Sequence, residues 1–315
     1  MYNKQVKILK ILQRNSYITQ RELAKKAEIS VGTVNNAISW FCDNDYIKKE
    51  SSENNGYRYK LLEKGKKIVD KSHIKTAVIL AAGLGTRLYS VTNNEIPKGL
   101  LKVKDVTLID RSIRILLKND IKKIIIVTGH LNNYYDDLKK KYSEVVTVKN
   151  ENYASTGSMA SLAVASKIIE NNNFLLLESD IIYESKAIEY LQLTDKKDCI
   201  LLSGKTNSGD EVYVEVKNNS IHKMSKDKHS LKNIYGELVG ISKISKDLLT
   251  KMIVQYKKST NEQYHYEYAI EDSAKKYLVN YKKIEDLVWG EIDDAKHLKR
   301  INHLIVPKLI EKGEI

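Results

Sequence analysis

The 315-residue chain reads as α/β, a doubly wound and mostly parallel sheet over residues 74–315, with a small helical unit and β-ribbon before it over residues 1–73. Three observations predict this. Short unbroken apolar runs recur at AVILAA, KIIIVTG, FLLLESD and CILLSG, as strands buried on both faces require. Helical patterns separate them, RSIRILLKND before the second run and SMASLAVASKIIE before the third. Ahead of residue 70, three amphipathic helical patterns lead into two short polar-aromatic strands around Asn55-Gly56, a strong hairpin signal.

In the first unit, Val6, Ile8, Leu9, Ile11 and Leu12 mark one apolar helical face. Thr19 with Glu22 forms a capping box for a second helix, and a third starts at Ser30 or Val31. Helix, helix, short turn, helix and wing is the order of a winged helix-turn-helix. The stretch ITQRELAKKAEISVGTVNNAISWFCDNDYI resembles MarR-like and related winged-helix families. That resemblance implies double-stranded DNA as a partner, met by Thr33, Asn35, Asn36 and Ser39 on the third helix and by Arg58 on the wing. Charge agrees: the net charge is +13, and residues 1–75 hold 16 of the 53 Lys and Arg but 8 of the 40 Asp and Glu. A helical stretch around LLEKGKKIVDKSH leads to a short joint near residue 73.

Several classes are excluded. No run approaches the roughly 18–20 apolar residues of a membrane span. The lysine-spaced start, MYNKQVKILKILQRN, is not a signal peptide. Cys42 and Cys199 stand far apart without metal-type spacing, so neither a disulfide framework nor a zinc site is expected. A cytoplasmic protein is expected, and a homodimer is left open.

The most informative segment is AVILAAGLGTRLYSVTNNEIPK, residues 77–98. A buried strand stops in a Gly-rich turn, whose backbone N–H groups suit an anion. Arg87 and Lys98 add charge for a polyphosphate. Two better-known loops fail: Leu88 stands where a dinucleotide fingerprint needs its third glycine, and no Gly-Lys-Ser/Thr is present. Sites in such sheets lie beyond the carboxyl ends of the strands, which groups this loop with Gly129-His130 and with Glu178-Ser179-Asp180.

Asp180 ends an almost pure leucine strand, where a carboxylate is costly to desolvate without a cation. Glu291 and Asp293 alternate along an extended segment and share a side. Asp180 and Asp293 are therefore candidate Mg²⁺ ligands, since that ion accepts oxygen and needs only one or two carboxylates. Alone, each acid reads equally as a helix cap or a solvated turn.

LAAGLGTRL followed by PK resembles the signature loop of nucleotidyltransferases, enzymes with a Rossmann-like sheet that join a nucleoside triphosphate to a phosphorylated small molecule. The likeness covers most of residues 75–300. TGHLNNYYDDL, NENYASTGSM, LLLESDIIYES, SGDEVYVE, YGELVGISK and VWGEID extend it to the CTP-using branch, CTP:2-aminoethylphosphonate and CTP:phosphocholine cytidylyltransferases. It implies nucleotide contacts from Leu80, Ala82, Gly83, Gly85, Thr86, Thr156, Gly157, Ser158 and Ser179. It also implies catalytic roles for Arg87 and Lys98, and Mg²⁺ on Asp180 and Asp293. Asp210, Glu211, Tyr213, Glu237, Tyr266, Glu267 and Trp289 lie in segments that resemble the acceptor side. The acid-rich SGDEVYVE favours a primary ammonium, which donates three hydrogen bonds, over a trimethylammonium, which donates none.

A regulator whose α/β domain only senses nucleotide is the competing class. Lys98, Asp180 and Asp293 together favour the enzyme, because sensing does not need all three.

Overall fold

The computed structural model describes residues 3–51, 57–170 and 172–315, so the Asn55-Gly56 turn expected at the wing lies outside the described residues. Met1–His73 with Gln192–Asp195 forms one compact unit, and Ile74–Leu191 with Lys196–Ile315 forms the other.

In the first unit, helices Asn3–Arg14, Gln20–Ala27 and Val31–Asp43 bury Leu9, Leu23, Val34 and Phe41 completely. The capping box is formed: Glu22 N–H donates to Thr19 Oγ1 at 3.2 Å, and Thr19 N–H donates to Glu22 Oε2 at 3.0 Å. Ser30 caps the third helix by accepting from Thr33 N–H at 3.1 Å. Strands Ile47–Ser51 and Tyr57–Leu61 pair antiparallel, with Lys49 opposite Tyr59, and helix Glu63–Ser72 follows. Thr33, Asn35, Asn36 and Ser39 are exposed on the third helix. The Thr33 hydroxyl is shared with the cap, 2.8 Å from the Ser30 hydroxyl. Arg58 is steadied over the Tyr17 ring, 4.9 Å from its centroid.

The second unit is built on a nine-stranded sheet. Its main path runs Ser220–Ser225, Tyr213–Lys217, Gly236–Ile244, Phe174–Glu178, Thr76–Ala81, Lys123–Thr128, Val145–Lys149. Cys199–Ser203 pairs with Gly236–Ile244, and Tyr281–Ile284 with Cys199–Ser203. Gly236–Ile244 and Ser220–Ser225 run against the other strands, so the sheet is mostly parallel.

The apolar runs are explained by strand periodicity. Ala77, Ile79 and Ala81 enter one core with Ile124, Ile126, Leu175 and Leu177, while Val78 and Leu80 enter the opposite core with Ile125, Val127 and Leu176. Helix Leu108–Lys118 feeds the first core and helix Ser158–Ser166 the second.

The stretch that carries KKIEDLVWG, residues 282–290, forms two separate strands. Tyr281–Ile284 joins the sheet edge, and Trp289–Glu291 pairs antiparallel with Ile181–Tyr183. That small ribbon has a large consequence. It sets Glu291 opposite Ile181, and the Ile292 N–H donates to the Asp180 carbonyl at 2.9 Å. Two acidic segments more than a hundred residues apart in sequence are thereby brought together at the rim of the sheet.

Candidate active site

Strand Thr76–Ala81 ends at the rim, and the chain turns through Ala82–Gly85 into a short helical turn, Thr86–Leu88. Gly85 has φ +67°, and a Cβ there would lie 3.0 Å from the Lys98 side chain. A side chain at 85 would thus be strained and would push on the lysine. Pro97, in extended backbone at φ −71°, leads into the turn that begins with Lys98.

Lys98 is mostly buried, with Nζ 2.6 Å from Asp180 Oδ2 and 2.5 Å from Asp293 Oδ1. Arg87 reaches Asp293 Oδ1 at 3.0 Å and Asp210 Oδ2 at 2.8 Å, and Asp210 Oδ1 also holds Lys226 at 2.8 Å. Positive and negative groups therefore alternate along the rim. Burial alone would lower the Lys98 pKa, but Asp180 and Asp293 outweigh it and hold the ammonium charged. Burial likewise works against the Asp293 carboxylate, yet Lys98 holds it well below the usual carboxylate range.

Beside this pair, Glu178, Asp180 and Glu291 offer oxygens within 4.8 Å of one another. Gly240 makes room for them. At φ +76°, its absent Cβ would stand 2.5 Å from Glu178 Oε2. Burial, then the neighbouring carboxylates, push Glu178 and Glu291 above the usual carboxylate range, while the Tyr266 hydroxyl donates to Glu178 Oε1 at 2.7 Å. Asp293 Oδ2 is buried without a hydrogen-bond partner. An all-oxygen set of crowded acids fits a hard divalent cation such as Mg²⁺. The three-acid cluster contains Asp180 of the expected pair but adds Glu178 and Glu291, whereas Asp293 is engaged by both Lys98 and Arg87.

A cleft of about 350 Å³ opens here. Leu80, Ala82, Gly83, Gly85, Lys98, Thr156, Gly157, Ser158, Ser179 and Asp180 all line it, as does Tyr266. Thr86, Arg87 and Asp293 do not, although Arg87 and Asp293 touch it through the ion pairs. Gly157 is required sterically, because a Cβ there would lie 2.5 Å from the Tyr264 carbonyl. A second, smaller chamber of about 60 Å³ adjoins the first, and Glu178, Glu267 and Glu291 line both. Asp210, Glu211 and Trp289 line the smaller one. Glu267 Oε2 and Trp289 Nε1 are buried without partners.

Two residues expected at the acceptor stand elsewhere. Tyr213 lines neither chamber and donates its hydroxyl to Glu211 Oε2 at 3.2 Å. Glu237 also lines neither, and its Oε2 accepts from Thr206 N–H at 2.8 Å. Both brace the chamber wall because their strand positions turn them toward the neighbouring loop. Sequence reasoning also passed over Gln263, His265, Lys226 and Arg300, which line the two chambers. Lys226 and Arg300 gave no signal in a lysine-rich chain. The alternation of Gln263 and His265 could have been noticed.

Residues 76–211 match the nucleotidyl transferase family model, and residues 3–48 match a winged helix-turn-helix DNA-binding model. A 2-aminoethylphosphonate cytidylyltransferase of Lancefieldella rimae is 26% identical over 234 residues, 72% of this chain and 92% of that relative. A choline-phosphate cytidylyltransferase of Streptococcus pneumoniae is 42% identical over 96 residues, 30% of this chain and 41% of that relative. Among solved structures, an inositol-1-phosphate CTP transferase from T. maritima superposes with TM-score 0.62 at 20% identity, over 74% of this chain and 98% of that one. A CTP:phosphocholine cytidylyltransferase from Streptococcus pneumoniae superposes with TM-score 0.63 at 22% identity, over 74% and 99%. Among the described residues no helix is long and apolar enough to cross a membrane. The chain carries a nucleotidyl transferase domain behind an N-terminal winged helix-turn-helix domain.

Proposed function

We propose that the chain is a cytidylyltransferase that transfers CMP from CTP to a small zwitterionic phosphonate or phosphate, with 2-aminoethylphosphonate as the preferred acceptor. The observation that carries the acceptor is the smaller chamber. Its volume is about 60 Å³, and Glu178, Glu211, Glu267 and Glu291 line it. The buried, unpartnered Glu267 Oε2 is an acceptor that lacks a donor. An ammonium supplies such donors in a small volume; a trimethylammonium is bulkier and supplies none. The 26% identity along 92% of the Lancefieldella relative supports the same choice.

In the reaction, an oxygen of the acceptor attacks the α-phosphorus of CTP in line. The new O–P bond forms as the bond to the β-phosphate bridging oxygen breaks, and pyrophosphate leaves. The side chains do little covalent chemistry, so positioning and charge stabilisation carry the rate. Gly83, Gly85 and Thr86 cradle the β- and γ-phosphates. Arg87 exchanges its carboxylate partners for the leaving pyrophosphate. Lys98 moves from Asp180 and Asp293 to the α-phosphate and stabilises the charge developing there. Asp180, with Glu178, Glu291 and the free Oδ2 of Asp293, would hold Mg²⁺. When bound, that ion supplies Lewis-acid charge neutralisation at the phosphates.

Pyrophosphate release and ³¹P NMR with CTP test this, using 2-aminoethylphosphonate, phosphocholine, phosphoethanolamine and a sugar 1-phosphate as acceptors. The expected result is a mixed phosphonate–phosphate anhydride formed fastest from 2-aminoethylphosphonate, lost on chelation of Mg²⁺. The buried Trp289 indole in the chamber wall favours a second reading, phosphocholine, whose cation would lie against that ring. Faster CDP-choline formation would move the assignment there. Tight CTP binding without turnover of any acceptor would leave a nucleotide sensor instead.

We also propose that the N-terminal unit binds double-stranded DNA. Its third helix exposes Thr33, Asn35, Asn36 and Ser39, and its wing exposes Arg58. Fluorescence anisotropy on a pool of random duplexes should show affinity that falls steeply with salt. Arg58→Ala should lower the salt slope by about 1, one phosphate contact. Binding absent at low salt would remove this proposal.

A further inference from the structure

The segment Gln263–Tyr266 closes one wall of the larger cleft, and its two alternate side chains are both anchored to the Ser155–Ser158 turn. Gln263 Nε2 donates to the Ser155 carbonyl at 2.9 Å. A carbonyl can only accept, so the amide NH₂ must face it, and Oε1 is left as an acceptor. His265 Nδ1 lies 3.3 Å from the Ser158 N–H, which can only donate. The Ser158 hydroxyl also lies 3.3 Å from Nδ1, and its oxygen already accepts from the Tyr266 N–H at 3.0 Å, so its own hydrogen is free to point at the ring.

Nδ1 therefore presents a lone pair. A neutral imidazole must then carry its hydrogen on Nε2. Burial, then Lys226, lower the His265 pKa, which agrees with the neutral ring. Neither Nε2 nor the Gln263 Oε1 has a hydrogen-bond partner among the described residues, and both residues line the cleft. Both side chains meet the same Ser155–Ser158 turn and line the same cleft. The cleft wall thus offers one fixed acceptor and one fixed donor from this segment.

Cytosine presents the complement, an N4 amino donor beside the N3 acceptor. Uracil presents the reverse, an O4 acceptor beside the N3–H donor. We infer that Gln263 and His265 read the Watson–Crick edge of the nucleobase, Gln263 accepting from N4 and His265 donating to N3, and so select cytosine over uracil. The inference rests on the reading of the domain as a CTP-using enzyme and goes beyond it by naming the groups that choose the base. Tautomer and amide orientation are set by the backbone of the turn, so the code is built before the nucleotide arrives.

The test measures kcat and KM by pyrophosphate release for CTP, UTP and 3-deaza-CTP, in which C–H replaces N3. The wild type should prefer CTP over UTP by roughly 10²-fold or more in kcat/KM, because a bound uracil would set donor against donor and acceptor against acceptor where the base covers these groups. It should lose roughly 10-fold with 3-deaza-CTP, mainly through KM, the scale of one hydrogen bond. His265→Ala should treat CTP and 3-deaza-CTP alike and narrow the CTP/UTP ratio, and Gln263→Ala should narrow that ratio while still penalising 3-deaza-CTP. A wild type indifferent to 3-deaza-CTP, or a His265→Ala that keeps both ratios, overturns the inference while CTP turnover leaves the enzyme reading standing. Should His265→Ala not fold, the wild-type comparison of CTP with 3-deaza-CTP decides alone. No turnover of CTP with any acceptor would instead fail the enzyme reading beneath it.

Discussion

Lys98→Ala should lower kcat by roughly 10²-fold or more, the scale on which one transition-state donor is lost. The reason is geometric. Nζ stands 2.6 Å and 2.5 Å from two carboxylates and is held charged by them, so it is a full positive charge in the wall of the cleft. Negative charge grows on the α-phosphate oxygens as the acceptor attacks, and no other lysine lines the larger cleft among the described residues. KM for CTP should change less than kcat, because the interaction strengthens in the transition state. Lys98→Arg should not rescue fully, since a planar fork cannot replace a compact ammonium in this space. Steady-state kinetics with CTP and the preferred acceptor reads this directly. A Lys98→Ala enzyme within a few-fold of wild type would end the assignment.

The second large effect is expected from Asp180→Asn. Asp180 belongs to both groups at the rim, the Lys98 ion pair and the three-acid cluster with Glu178 and Glu291. The amide keeps the shape and removes one charge. Activity should fall by roughly 10²–10³-fold, as when a single charge-stabilising group is taken from an active site. The Mg²⁺ concentration for half-maximal activity should rise at least about 10-fold, within the range seen when a metal site is weakened. Stability should change little, because Lys98 keeps Asp293 and the crowding among the acids eases. A Mg²⁺ titration of activity with a thermal melt separates the outcomes. An unchanged Mg²⁺ dependence would show that Asp180 is not a ligand.

Much of this architecture was legible before any coordinates. Thr19 and Glu22 announce a helix start because their side chains can satisfy each other's backbone donors three residues apart. AVILAA and FLLLESD announce buried strands because both faces of a central strand meet apolar helices. The antiparallel strand Gly236–Ile244 was not read, although YGELVGISK, residues 235–243, covers all but its last residue. Its place depends on pairing with Phe174–Glu178 and Cys199–Ser203, partners more than thirty residues away in the chain. Tyr213 and Glu237 were placed on the acceptor side by the resemblance of SGDEVYVE and YGELVGISK, but strand alternation and a loop at Thr206 and Glu211 decide which way such side chains serve.

Local order therefore belongs to the sequence: the strands, the capped helices, the Gly-rich loop with Arg87 and Lys98, and the charge bias of residues 1–75. These depend on neighbours within a few residues, where backbone geometry leaves few choices. Tertiary structure alone decided which acids gather at the rim. The ribbon between Trp289–Glu291 and Ile181–Tyr183 sets Glu291 and Asp293 beside Asp180, and Gly240 clears space for Glu178. It also decided that Gln263 and His265 reach the turn at Ser155–Ser158. Each of these contacts joins segments about sixty to a hundred and ten residues apart, and no local pattern records a distance that only the closed sheet creates.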